Sequence, residues 1–310
     1  MFGKRKGTDR ERIRERSEDL LKAVAHGRDL EGSWDPAGML PGVSGAQLDR
    51  IMERLEQEEL AEWRDGGWRL TAAGRRRALE LLRAHRLMET WLSRQRGRPA
   101  KEVHAEADKA EHLLTPAGMD ELADLMKRPR FDPHGDPIPE RRHDLHHPQQ
   151  KHLKDMAEGS AALVAHIEDE PESDYLELQH MGLAVELPVR ILKQEHGSTR
   201  IELAGEQLEL PTRLAAHIEV VPFPEDRPFP DHLRRLSSLK QGESGLVEFI
   251  SPACMGPERR RLLDFGMVPG SEVTCEFASP FQSPIAYRVR GTTIGLRNSQ
   301  AMEIFIRKPS

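Results

Sequence analysis

With 310 residues, 37% hydrophobic and 32% charged, the chain has room for two or three domains and reads as soluble and globular with an extensive surface. No stretch approaches the ~20 apolar residues of a membrane span, and the Met1–Gly7 stretch lacks the apolar run of a secretion signal, so no membrane insertion and a cytoplasmic location are expected. A net charge of −6 argues against a wholly basic nucleic-acid binder, but residues 1–100 hold 21 Lys and Arg against 17 Asp and Glu while the rest hold 25 against 35, which leaves the N-terminal end as the place for such a partner. Cys254 and Cys275 are not spaced as a redox or zinc motif and are expected to be reduced, structural thiols.

Residues 10–27 read as a helix, with Ile13, Leu20, Leu21 and Val24 apolar among charges. Gly32, Pro36, Pro41 and Gly42 break the next stretch, with room for one short helix. From Ser44, an N-cap, Leu48, Ile51, Met52 and Leu55 recur at helical spacing to about Glu59. Leu60 to Trp63, a turn at Arg64-Asp-Gly-Gly67, and Trp68 to Leu70 make a small hairpin. Thr71 caps a long helix that runs through about Ser93. Helix, turn, helix and two-stranded wing describe a winged helix-turn-helix over residues 1–80. In that geometry the helix from Ser44 enters the major groove with Gln47 and Arg50 as base-edge candidates. Arg64 and Arg69 of the wing reach phosphates, and Arg75, Arg76 and Arg77 join Lys4-Arg5-Lys6 as backbone contacts. Taken singly, each arginine reads as a solvated surface charge; the ordered series of elements carries the inference.

Residues 81–140 read as a helical domain. In the stretch from Val103 to Leu114, His104, Asp108, Glu111 and His112 fall within an arc of about 100° on a helix, while Glu106 points to the far side. His85 and Glu89, at i and i+4 on the preceding helix, can close the same site or a neighbouring one. Charged helix faces are commonly only solvated. As a metal site, imidazoles with carboxylates and no thiolate suit Mn(II) or Fe(II) better than Cu(I) or structural zinc. A further helix spans Pro116 to Lys127. Three prolines between Phe131 and Pro139 end helical structure. Residues 141–152, with His143, His146, His147 and His152, read as a polar linker, with a metal-scavenging tail as the alternative.

The C-terminal half is a repeat. Leu153, Met156, Gly159, Leu163, Val164 and Ile167 recur 83 residues later as Leu236, Leu239, Gly242, Leu246, Val247 and Ile250. Gly205 and Leu208 answer Gly291 and Ile294, and Ala215 and Ile218 answer Ala301 and Ile304. Period-two alternation with Gly at the turns implies short antiparallel strands, hence two small barrels, 153–222 and 236–308, with a linker at 223–235 that carries Pro224, Pro228 and Pro230.

Together these residues resemble the DtxR/MntR family of metal-dependent repressors over about residues 10–222. The most specific stretches are Ala84 to Leu92, Val103 to His112, and His134-Gly-Asp-Pro-Ile-Pro139. Residues 236–308, with Leu262 to Gly270 and Gly291 to Leu296, resemble a FeoA domain. The resemblance implies an α+β multidomain chain: a winged helix-turn-helix, a helical metal-binding and dimerisation domain, and two SH3-like barrels in tandem. It also implies that Glu111, His112, Asp108 and Asp19 hold the main ion and that His85, Glu89 and His104 hold a second, with Asp174, beside Glu170 and Glu172, completing it from the first barrel. Lys22 stands where manganese-type members carry a further carboxylate, so their two-ion site is not expected. Asp49, Glu53 and Glu56 along the recognition helix oppose phosphate binding. The expected function is a homodimeric, Mn(II)- or Fe(II)-dependent regulator that binds a double-stranded DNA operator and represses metal-uptake genes. The alternative is a cytosolic iron-sensing adaptor whose FeoA-like barrels act on a protein partner. An enzyme is the least supported class, since no nucleophile motif or phosphate-cradling loop accompanies the ligands.

Overall fold

In the computed structural model, which describes residues 8–27, 29–96, 100–140, 150–278 and 283–308, α1 spans Asp9–His26. Thr8 and Glu11 form a reciprocal capping box that satisfies the first free N–H groups of this helix. After a short 3-10 turn at Pro36–Gly38, α2 spans Gly45–Gln57. Strands β1 (Ala61–Arg64) and β2 (Gly67–Leu70) pair antiparallel with Ala61 opposite Leu70. Their two-residue turn places both Asp65 (φ 52°) and Gly66 (φ 81°) in the left-handed region, the geometry that matches the twist of a hairpin. Leu20, Leu21 and Val24 pack with Ile51, Leu55, Leu70, Leu81 and Leu82 in one core. That shared burial, rather than intrinsic propensity, holds α1 and α2 in place.

Helix α3 runs from Ala72 to Arg96, and the Thr71 hydroxyl accepts the Gly74 N–H at its start. Gly74 is required there, because a Cβ would lie 1.8 Å from the Leu60 carbonyl oxygen. The expected boundary between residues 80 and 81 therefore falls inside one continuous helix. Helix α4 spans Ala100–Ala110 and tightens into a 3-10 turn, Glu111–Leu113, before α5, Pro116–Leu125. The helical stretch expected from Val103 to Leu114 thus ends as an α-helix at Ala110 and is wound more tightly over Glu111–Leu113. Residues 141–149, most of the expected polar linker with His143, His146 and His147, and the Lys4-Arg5-Lys6 cluster lie outside the described residues.

The chain divides into two compact units, the first built mainly from residues before Asp132 and the second from residues after His147. The second unit is the expected duplication. Its first copy contains β3 (Lys151–His152), β4 (Ala161–Ile167), α6 (Glu172–His180), β5 (Pro188–Glu195), β6 (Ser198–Leu203), β7 (Glu206–Pro211), α7 (Thr212–Ala216) and β8 (Ile218–Pro222). The second copy repeats the series as β9 (Arg234–Arg235), β10 (Ser244–Ile250), α8 (Gly256–Asp264), β11 (Glu272–Ala278), β12 (Ile285–Val289), β13 (Thr292–Leu296), α9 (Asn298–Met302) and β14 (Ile304–Arg307). Each copy is a six-stranded antiparallel sheet, ordered β3-β8-β4-β5-β6-β7 and β9-β14-β10-β11-β12-β13. The irregularities coincide as well. Bulges fall between Val164 and His166 and between Val247 and Phe249. The turns Ala204-Gly205 and Arg290-Gly291 are left-handed at both positions.

The copies are not separate beads. Phe305 of the second copy and Leu233 of the connecting segment belong to the core of the first. Phe249 stacks on Phe305 with ring centroids 4.6 Å apart. Arg235 is buried where the copies meet; it donates to the carbonyl oxygens of Gly182 and Met302 and lies over the Phe305 ring. The proline-bearing segment between the copies is packed too, with the Arg190 guanidinium 4.2 Å from the Phe229 ring. Cys254 and Cys275 are buried and free, and burial raises the pKa of both thiols, to about 12 for Cys254.

Candidate metal centre and nucleic-acid face

Within the first unit, α1, α3 and the α4 turn converge on one polar cluster. Successive turns of α1 present Glu18, Asp19 and Lys22; α3 presents His85 and Glu89 one turn apart; α4 presents His104 and Asp108; and the 3-10 turn presents Glu111 and His112. Seven residues expected as ligands are all here, and the geometry sorts six of them into two groups, with Asp108 on the side of His85 and His104 rather than in the expected set with Asp19, Glu111 and His112. Ligand atoms of Asp19, Glu111 and His112 lie within 4.8 Å of one another, as do those of His85, His104 and Asp108. On the tightened turn Glu111 meets both Lys22 of α1 and His85 of α3, while His112 faces Glu18 and Asp19 of α1.

In the first group, His112 Nε2 lies 3.3 Å from Asp19 and 4.0 Å from Glu111 Oε1. His112 Nδ1 is hydrogen-bonded to Glu18 at 2.8 Å, and Arg77 donates to the other oxygen of that carboxylate at 2.6 Å. Glu18 thereby orients the imidazole and leaves Nε2 directed toward Asp19 and Glu111. Glu18 was not singled out, and Arg77, read from the sequence as a DNA-backbone contact, pairs with it here. The available signal was that Glu18 precedes Asp19 on a helix and so shares its buried edge. In the second group, His104 Nδ1 is 2.8 Å and His85 Nε2 3.3 Å from Glu89 Oε1. His85 Nδ1 is 2.6 Å from Glu111.

Lys22 lies between the groups. Its Nζ is 2.7 Å from Asp108, 2.9 Å from Glu111 and 3.3 Å from His85 Nδ1. Burial opposes the Lys22 charge, but Glu111 and Asp108 outweigh it and raise the pKa. Burial likewise disfavours protonated His85, yet Glu89 and Glu111 raise its pKa to about 9 against an opposing push from Lys22. Burial of His112 is outweighed by Asp19 and Glu18, again giving about 9. The Asp108 carboxyl is disfavoured as an anion by burial, but Lys22 and the two histidines hold its pKa below the usual range.

Five carboxylates and three imidazoles surrounding one ammonium form an oxygen and nitrogen donor set with no thiolate. Glu111 Oε1 is buried without an aligned hydrogen bond, and its near contact is the Lys22 ammonium at 2.9 Å. Both observations fit a hard-to-intermediate divalent cation. A raised histidine pKa contributes stability that is fully present below the ordinary value near 6.5 and is lost as pH rises through about 9. The metal-free protein is therefore expected to melt at a lower temperature at pH 9.5 than at pH 6.5. Because an imidazole must shed its proton to bind an ion, added Mn(II) should restore more stability at the higher pH. Thermal scans with chelator and with Mn(II) at both pH values check this, and a metal-free melting temperature that rises with pH would contradict it.

Asp174 lies on α6 in the second unit, where Arg213 hydrogen-bonds its carboxylate and His217 Nε2 is 3.4 Å away. Its neighbours there are thus basic side chains of its own sheet domain. In the same unit His166 Nε2 lies 3.4 Å from Asp136, and Gly135 passes so close to β4 that a Cβ would lie 2.0 Å from the Ala165 carbonyl oxygen. This close approach is one physical reason for glycine in the His134 to Pro139 motif.

On the nucleic-acid side, Gln47 and Arg50 lie exposed on α2. Gln47 also closes the start of α2, its carboxamide oxygen accepting the Ser44 N–H and hydroxyl, both at 3.1 Å. Arg50 pairs with Asp9 at the start of α1, 2.7 Å away. Arg64 is exposed on the wing and faces Asp65 at 3.6 Å. Arg69 donates to the Glu31 carbonyl oxygen and Arg75 to that of Leu70, while Arg76 is exposed. Asp49, Glu53 and Glu56 are exposed along the same helix.

Residues 71–140 match the iron-dependent repressor metal-binding and dimerisation domain, and residues 151–222 and 234–308 both match the FeoA domain. The FeoA resemblance, expected for the second copy, thus extends to the first. An iron-dependent repressor of Mycobacterium tuberculosis, IdeR, is 35% identical over 97 residues, which cover 31% of this chain and 42% of that protein. A probable metal transport system membrane protein of Chlamydia trachomatis is 42% identical over 74 residues, 24% of this chain and 16% of that one. The chain therefore spans less than half the length of these relatives. Among solved structures, a manganese-dependent transcriptional repressor in complex with manganese superposes with a TM-score of 0.61 at 28% identity, over 67% of this chain and 100% of that one. Thermoplasma acidophilum IdeR does so with a TM-score of 0.54 at 26% identity, over 66% and 97%.

Proposed function

We propose that this chain, in which the metal-binding and dimerisation domain of the iron-dependent repressors is followed by two FeoA domains, is a metal-dependent DNA-binding transcriptional regulator of the DtxR/MntR type. The observation that carries the reading is the meeting of Asp19, on the helix that packs against the recognition helix, with Glu111 and His112 on the turn that follows α4. When bound, Mn(II) or Fe(II) would supply a cross-link among these three side chains. Asp19 then fixes α1, Glu18 orients His112 through Nδ1, and Arg77 holds Glu18. The packing of α1 on α2 passes that constraint to Gln47 and Arg50, the candidate base-reading residues. Arg64, Arg69, Arg75 and Arg76 serve as the phosphate-contacting set. In a homodimer, fixing α1 in both protomers favours the spacing of two recognition helices that a two-fold operator requires. Repression of metal-uptake genes in the cytoplasm is the corresponding role. His85, Glu89 and His104, with Asp108, form a second candidate site, and Asp174 is the proposed contribution from the first FeoA domain.

The test is fluorescence-anisotropy binding to a pool of random duplexes with Mn(II), with Fe(II) under anoxia and with chelator, at two salt concentrations. Metal-dependent, sequence-selective retention with a steep loss at higher salt is the expected result. The acidic side chains exposed on α2 and the doubled FeoA domain favour one competing reading, an iron-sensing adaptor acting on a protein partner. No duplex retention by a folded, metal-loaded dimer, even at low salt, would replace the regulator with the adaptor.

A further inference from the structure

We infer that Lys22 is a built-in cation: its ammonium occupies the position between Asp108, Glu111 and His85 Nδ1 that a divalent ion shared by those three groups would need, so that this part of the cluster takes no metal. The inference rests on the regulator reading only in taking Asp19, Glu111 and His112 to hold an ion.

The geometry is specific. Nζ lies 2.7, 2.9 and 3.3 Å from the three groups, which converge on it from two different helices and the 3-10 turn. Lys22 is mostly buried, and the Glu111 side chain is fully so. An ion coordinated by the same atoms would need oxygen contacts of about 2.0–2.2 Å and would fall where the nitrogen now sits. Two cations cannot share that volume, and the flexible stem of lysine must withdraw before an ion can enter.

Two consequences follow. First, the ammonium ties α1 to α4 and its turn without metal, so part of the link that an ion would make is permanent. Second, Glu111 is shared: Lys22 Nζ lies 2.9 Å from each of its oxygens, Oε2 is also 2.6 Å from His85 Nδ1, and Oε1 is 4.0 Å from His112 Nε2. Lys22 therefore limits binding to the Asp19 side of Glu111 and to the Glu89 side of His85. The chemical class it excludes is a divalent cation bridged by Asp108 and Glu111.

Isothermal titration with Mn(II), with bound metal counted by elemental analysis, tests this on the full-length protein. Lys22→Glu and Lys22→Met are compared with the unmodified chain, and melting temperatures are measured in chelator. Both variants should bind one more ion per chain than the unmodified protein. Both should also melt lower than it in chelator and recover with Mn(II), because the acidic groups lose their resident cation. Lys22→Met supplies the answer if the added carboxylate of Lys22→Glu prevents folding. An unchanged ion count in a folded variant overturns the inference, as does an unmodified protein that already coordinates Mn(II) through His85 Nδ1 and Asp108 together. An unmodified protein that binds no ion while Lys22→Glu binds one supports the role of Lys22 and removes the metal-regulator reading. No binding by either overturns both.

Discussion

Replacing His112 with alanine is expected to lower the apparent Mn(II) affinity measured through operator binding by about 100-fold or more, while leaving the fold and the weak metal-free DNA affinity in place. Removal of His112 takes one nitrogen donor from the Asp19, Glu111 and His112 group. It leaves the Arg77–Glu18 pair and the Lys22–Asp108–Glu111 contacts intact. Asp19→Ala removes a partly exposed carboxylate from the same group and should give the same phenotype, which separates loss of a ligand from loss of packing. Glu111→Ala is a poorer probe. It strips a buried carboxylate from both His85 and Lys22, and an uncompensated buried charge is itself destabilising. Anisotropy titrations of metal into protein and duplex, with circular dichroism as the folding control, measure the effect. Unchanged metal-stimulated binding by both His112→Ala and Asp19→Ala would remove this group from the mechanism.

Arg235→Ala is expected to destabilise the second unit by on the order of 3 kcal/mol, lowering its thermal transition by roughly 10 °C. The side chain is fully buried, and one guanidinium satisfies the carbonyl oxygens of Gly182 in one copy and Met302 in the other. It also covers Phe305, which belongs to the first copy's core. Truncation therefore removes the donor from the buried Gly182 and part-buried Met302 carbonyl oxygens, opens a cavity beside an aromatic ring, and removes the cation 3.8 Å from Glu206. Lysine at this position keeps the charge but cannot fork to two carbonyls, so Arg235→Lys should recover only part of the loss. Calorimetry of the full-length protein reads the result; a change below about 1 kcal/mol would show that the two copies are held together elsewhere.

The elements that proved legible in the sequence are those governed by local chemistry. Ser44 and Thr71 mark helix starts through their caps, Asp65-Gly66 marks the hairpin through its left-handed turn, and the 83-residue repeat marks the duplicated sheets down to matching bulges. The seven ligand-type residues from Asp19 to His112 were recognisable too, six from helical spacing and Asp19 through the family resemblance, which set them in two groups. The place of Asp108 was not, because the resemblance set it with Asp19, Glu111 and His112, whereas its carboxylate lies with His85 and His104. Glu18 escaped notice, and Arg77 was read only as a DNA-backbone contact, since each is an ordinary surface-type residue until α1 and α3 pack together. The sharing of Phe305 and Arg235 between copies is a tertiary fact that internal sequence symmetry conceals, since a repeat suggests two independent cores. Lys22 was visible as a departure from the family pattern, but only its Nζ distances reveal that it fills the gap its own substitution creates.

Helix α1 carries two acidic side chains with different correspondents: Asp9 in its first turn holds Arg50 of α2, and Asp19 lies beside His112. Ten residues of uninterrupted helix separate them, about 15 Å of axial rise. On the proposed function, sensor and reader would be two ends of one strut rather than stations on a relay. No loop intervenes to absorb a small displacement as slack, so a tilt imposed at Asp19 reaches Asp9 as leverage. A glycine placed between them, at a cost of about 1 kcal/mol, would turn the strut into a joint.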